Sequence, residues 1–142
     1  MRFEIWQAGW AMIRSHPWFG IGANMLVRDY VSYRIAGDTL VAAYGHNQYI
    51  QLAAEIGVFG LLVFLLIVIR TASVGWKLLN DKEAWVRLAA QGAGCGILAF
   101  LAIGLLESAL QSSRCNAFFW IWLGLLHGLA SSRLPRPNFH AG

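Results

Sequence analysis

Nineteen consecutive residues, 88–106, carry no charged side chain, and the eighteen residues 115–132 carry none either. A third uncharged run, 56–69, is fourteen residues long. A helix that crosses a membrane needs about 20 mostly apolar residues, because the hydrocarbon core is about 30 Å thick. The two longer runs come close to that length. The shortest reaches it by extension back through residues 47–55, which places polar side chains in its upper turns. A soluble three-helix bundle would need a charged stripe along each helix, and the two longer runs have none. Composition agrees: 13% of the 142 residues are charged and 58% are hydrophobic, with a mean hydropathy of +0.53. Soluble domains carry about 25% charged residues, and disordered chains are polar and poor in aromatics. The expected fold is all-α. Residues 47–142 form a portion with three transmembrane helices, preceded by a loop with an amphipathic helix in residues 1–46.

The formal charge of +4 is small, and the nine arginines and two lysines are dispersed. No basic stripe would follow a phosphate backbone, so nucleic acid is not an expected partner. Cys95 and Cys115 lie in apolar surroundings and make neither a disulfide framework nor a metal site. Orientation is read from the loops. Arg70, Lys77, Lys82 and Arg87 lie between the first and second helices, and Arg133 and Arg136 follow the third. Only Arg114 lies between the second and third. The positive-inside rule therefore puts the first loop and the C-terminus in the cytoplasm, and residues 1–46 outside.

Within that outer segment, Phe3, Trp6, Trp10 and Ile13 recur at helical spacing. Two readings of this face stand side by side: an amphipathic helix lying on the membrane surface, Trp side down, or a helix packed on others of the same protein. Pro17 stops the helix, since the residue before proline is pushed out of the α region. Gly20 and Gly22 give a turn. Residues 24–45, with Tyr30, Tyr33 and Tyr44 among Arg28, Asp29, Arg34 and Asp38, read as an ordered external loop.

Asn47, Gln51 and Glu55 stand at i, i+4 and i+8, with Gln48 beside them, and form one polar face. Against lipid such a face is costly, so it should line a protein interior or a wet cavity. The alternative is that these groups fasten neighbouring helices. Asn47 is a good N-cap residue. His46 then sits just outside the helix N-terminus, where the dipole favours anions and a neutral imidazole. That combination suits proton transfer on a phosphorylated substrate. Glu107, at the outer end of the second apolar run, falls on the same side of the membrane as His46 and is a further candidate. The glycine pairs Gly57/Gly60, Gly92/Gly96 and Gly124/Gly128 read as points where another backbone comes close. His127 reads as a packing or hydrogen-bonding residue.

Three fragments taken in order resemble one family: Arg2 to Trp6, Ile13 to Gly22, and His46 to Gly60. His46-Asn47, nine further residues, then Gly57-x-x-Gly60 is similar to the signature of the bacterial O-antigen ligase and polymerase family. The resemblance covers residues 2–60 by motif and the remainder by hydropathy alone. It implies a multi-pass glycosyltransferase of the bacterial inner membrane. The donor would be a glycan on undecaprenyl diphosphate, taken up on the periplasmic face. The acceptor would be the lipid A core, a growing O-antigen or, in some relatives, a protein. The loop of residues 1–46 would then be periplasmic. His46 resembles the motif histidine and Arg2 the arginine that precedes the amphipathic segment. Both are the expected catalytic residues.

The chemistry suits these residue types. A diphosphate leaving group needs cationic stabilisation, which a forked arginine supplies without a metal. No metal and no cofactor is expected. His46 would take the acceptor's proton and the reaction would invert the anomeric centre. Arg28, Arg34, Asn47, Gln51 and Glu55 are the expected substrate-binding residues, with Gln51 or Glu55 orienting His46 or holding sugar hydroxyls. The partners expected are the carrier-linked glycan, its acceptor and membrane lipid. Three helices are few for such a site, so the chain is expected to be the C-terminal portion of a longer protein and inactive alone. The rival expectation is a small non-enzymatic membrane protein, a transporter fragment or assembly partner, in which His46 serves stability alone.

Overall fold

The computed structural model describes residues 2–34 and 44–133. Among these the chain is entirely helical: α1 (Arg2–Ser15), α2 (Leu26–Tyr33), α3 (Gln48–Leu78), α4 (Ala84–Ile103), a 3₁₀ turn (Ala109–Gln111) and α5 (Ser113–Ser132). Asp38 and Arg136, like the rest of 35–43 and 134–142, lie outside the described residues.

α3 is broken inside its length. Gly57 has φ 72° and ψ −178°, a conformation open in practice only to glycine. An unbroken helix would pair the carbonyls of Ala54 and Glu55 with the N–H groups of Val58 and Phe59. Here the loop after α1 takes over all four groups. Ile21 N donates to Ala54 O and Gly22 N to Glu55 O, both at 2.9 Å. Val58 N donates to Pro17 O at 2.8 Å and Phe59 N to Trp18 O at 3.4 Å. Each of these four groups has a partner, as an apolar setting demands. The loop approaches so closely that a Cβ on Gly57 would lie 2.2 Å from Trp18 O, and one on Gly20 2.4 Å from Glu55 O.

The break also matches helix lengths. The part of α3 from 58 to 78 rises about 31 Å at 1.5 Å per residue, against about 30 Å for the 20 residues of α4 and of α5. These three pack around Phe64, Val68, Val86, Ala93, Ile97, Phe100, Phe119, Leu123 and Leu126. Phe100 and Phe119 stack with centroids 4.3 Å apart. Outward side chains such as Leu66, Leu98 and Ile121 stay exposed and apolar, which fits lipid. At the far end Arg133 ties α5 to the α3–α4 loop through Glu83 (2.9 Å) and Asp81 (3.3 Å). The Arg133 hydrogen bond, with a second from the Trp85 indole, holds the Glu83 carboxyl below its ordinary pKa.

Four expectations need correction. Among the described residues two helices, α3 and α4, are long and apolar enough to cross a membrane, not three. α5 has the length, but Arg114, Asn116, two tryptophans, His127 and its serines lower its hydropathy. The candidate span of α3, Gln48–Leu78, extends the uncharged run in both directions, back through the polar turns and forward to residue 78. α1 packs on the protein, but through Ile5, Ala8, Gly9 and Met12, while Phe3 and Trp10 point outward. Residues 26–33, read as loop, form α2. Of the glycines expected at close approaches, Gly96 meets Trp122, but Gly92, Gly124 and Gly128 have open space.

Gly57→Ala should destabilise the fold by about 2–4 kcal/mol, from strain at positive φ plus the clash with Trp18. Gly92→Ala has open space in a helix interior and should be neutral or stabilising by up to about 1 kcal/mol. Thermal unfolding in detergent checks both. Equal effects of the two substitutions would contradict the break.

Candidate functional site

The site is assembled around the start of α3. Asn47 is the N-cap, its Oδ1 accepting from the N–H groups of Tyr49 and Ile50, both at 3.0 Å. Its amide Nδ2 donates to Leu105 O at 3.1 Å. Gln48 N donates to Gly104 O at 2.7 Å, Leu110 N donates to Gln48 Oε1 at 2.6 Å, and the Tyr49 hydroxyl donates to Leu101 O at 2.8 Å. Three consecutive residues thus fasten α3 to the end of α4 and the turn beyond it. That turn carries Glu107.

Gly45 is fixed from both sides. Its N–H donates to Gln51 Oε1 at 3.0 Å, and its carbonyl accepts from the Trp6 indole at 3.1 Å. His46 follows in a left-handed conformation, φ 46°, which non-glycine residues adopt rarely. Its Nδ1 lies 3.0 Å from Glu107 Oε2, and the other carboxylate oxygen lies 3.0 Å from Arg2 Nη2. One carboxylate therefore joins the first residue of α1, the residue before α3 and the turn after α4. All three side chains are partly exposed, His46 32%, Glu107 48% and Arg2 49%. Exposed ion pairs contribute about 0–1 kcal/mol. The arrangement therefore does little for stability and much for position. An ionised carboxylate only accepts hydrogen bonds, so His46 Nδ1 donates to it, and in the neutral imidazole the lone pair is then on Nε2.

Gln51 and Glu55 are used differently from expectation. Gln51 is fully buried, and its Nε2 donates to Glu55 Oε1 at 3.0 Å. Glu55 accepts from the backbone N–H groups of Asn24 (3.0 Å) and Leu26 (3.4 Å), an anion at the N-terminus of α2. The polar face at 47, 51 and 55 thus holds backbone in place, and it is Glu107, not Gln51 or Glu55, that orients His46. Arg28 is exposed on α2 and Arg34 directly follows that helix. Neither takes part in the contacts that join Arg2, His46 and Glu107. Among the described residues no group of three or more His, Cys, Asp or Glu is placed to hold a metal ion. His127 pairs with Thr71 at 3.2 Å, and both cysteines are free and exposed.

Gln51→Leu should lower stability by about 2–3 kcal/mol, because it strands the buried Gly45 N–H and leaves Glu55 Oε1 with only the longer bond from Leu26 N. Hydrogen exchange at Gly45 should accelerate in that variant. Unchanged exchange and stability would contradict the scaffold role.

One comparison bears on these residues. The family model for O-antigen ligase matches residues 1–65. That range contains Arg2, His46, Asn47, Gly57 and Gly60, and excludes Glu107. No curated protein and no solved structure matches the chain. Over residues 1–65, which hold α1, α2, the cap of α3 and its glycine break, the chain is similar to the O-antigen ligase family, whose motif residues it carries there.

Proposed function

We propose that the chain carries catalytic machinery of a membrane glycosyltransferase of the ligase or polymerase type, which moves a glycan from undecaprenyl diphosphate to a sugar acceptor. The observation that carries this reading is the shared carboxylate: Glu107 holds His46 and Arg2 side by side, each at 3.0 Å. Transfer needs two things at neighbouring points, a base for the acceptor hydroxyl and a cation for the departing diphosphate. His46 supplies the first and Arg2 the second.

In this mechanism the acceptor hydroxyl gives its proton to His46 Nε2 as its oxygen attacks the anomeric carbon. The bond between that carbon and the phosphate oxygen breaks. Its electron pair stays on the diphosphate, which leaves as undecaprenyl diphosphate, and the anomeric centre inverts. Arg2 uses one of its five donors on Glu107 and offers others to the growing negative charge. Glu107 holds the imidazole in the tautomer that can accept a proton and stabilises the imidazolium formed. Arg28 and Arg34 serve as outer phosphate contacts. Asn47, Gln51 and Glu55 act on substrate through the backbone they hold. No metal enters the scheme.

The reading sets the chain in the bacterial inner membrane with α1, α2 and the start of α3 on the periplasmic side. The loop charges and the apolar length of α3 and α4 support this.

Glycan transfer from a lipid-diphosphate donor is assayed with the substitutions made in the full-length context. His46→Ala should lower kcat by about 10²–10⁴ and Arg2→Ala by about 10²–10³, with thermal stability retained. Glu107→Gln should lower kcat by about tenfold to a hundredfold at unchanged donor KM, with partial recovery in Glu107→Asp. Wild-type transfer by both His46→Ala and Arg2→Ala would overturn the proposal.

A further inference from the structure

Beside Glu107, between the α4 end and the start of α5, lies a cleft of about 510 Å³. That volume falls in the range of small-molecule sites. Tyr44, Glu107, Ser108, Gln111, Ser112 and Cys115 line it, and Ile103 and Ala109 add apolar surface. The residues that line it offer an aromatic ring, two hydroxyls, an amide and a carboxylate, and none is cationic. A phosphate would find no cation in the lining itself, and Arg2 on the far oxygen of Glu107 already gives that carboxylate one of its donors. A neutral sugar ring fits better: its hydroxyls both donate and accept, and its C–H face suits an aromatic side chain.

A second observation points to a ligand. Ser108 is 7% exposed, and its Oγ has no hydrogen-bond partner among the described residues. Buried hydroxyls are nearly always paired, because leaving one unmade is costly. The carboxylate of Glu107 has two acceptor sites in use, on Arg2 and His46, out of about four.

We infer that this cleft receives the acceptor sugar, with Ser108 and Glu107 binding its hydroxyls and one hydroxyl presented to His46. The inference rests on the transfer reading above. It assigns the acceptor to the α5 side of Glu107 and leaves the Arg2 side to the donor diphosphate.

Cys115 makes binding measurable without turnover. Alkylation of the two thiols by N-ethylmaleimide in detergent is followed by mass spectrometry, with Cys95 as the internal control. Core oligosaccharide released from lipopolysaccharide by mild acid should slow Cys115 several-fold and leave Cys95 unchanged, while pyrophosphate should slow neither. Ser108→Ala should raise the oligosaccharide concentration for half-protection about tenfold. Its thermal stability should be unchanged or higher, since a structural hydroxyl would cost stability on removal and an unpartnered one would not. No slowing by oligosaccharide, or slowing by pyrophosphate instead, would overturn the inference. So would a destabilised Ser108→Ala with wild-type protection. Protection of Cys115 in a protein that transfers no glycan would overturn the transfer reading and not the cleft.

Discussion

The exchange of hydrogen bonds at Gly57 is the contact on which the arrangement depends. Two rungs of a helix are opened, and the four groups released are taken by residues 17–22 of a loop. In water such groups would find solvent, but beside an apolar span they must find protein. The exchange welds the α1 end to α3 at one fixed register. It leaves the stretch 48–56 free to begin beside the C-terminal end of α4, where Gln48 bonds Gly104. Everything at the site is a consequence of that placement. α1 brings Arg2, the cap of α3 brings His46, and the turn after α4 brings Glu107.

The division of labour among the acids follows from burial. Glu55 is 6% exposed and accepts bonds from backbone and from an amide. It fixes the start of α2 and has little left for a ligand. Glu107 is half exposed and holds two side chains that themselves reach solvent. A buried carboxylate held by backbone fixes structure, and an exposed one shared by an arginine and a histidine sets two solvent-reaching side chains side by side.

Much of this was legible in the residues. Hydropathy located the apolar stretches of α3, α4 and α5, Pro17 marked the end of α1, and Asn47 announced the cap that puts His46 outside the helix. Physical reasons separate what was not. The aromatic weight of Phe3, Trp6 and Trp10 hid the face that packs, where Gly9 lets Ile50 come close and Ala8 clusters with Ile5 and Tyr30. α2 is eight residues long, and its N-terminus is satisfied by Glu55, about thirty positions away, so no local signal announces it. Gly57 could be read as a close approach but not as a break, since the break exists only when the loop arrives. Glu107 could be placed at the same end of the apolar helices as His46, but its link to both Arg2 and His46 is a tertiary fact.

The central claim is that Glu107 holds His46 with Nδ1 protonated and Nε2 free to accept a proton. Nitrogen-15 NMR of histidine-labelled protein at neutral pH tests it most directly, with a His46→Gln variant assigning the signal. The account predicts the Nδ1–H tautomer for His46 and loss of that preference in Glu107→Gln. An Nε2–H tautomer in the wild-type protein would contradict it, because no lone pair would then remain for the acceptor's proton.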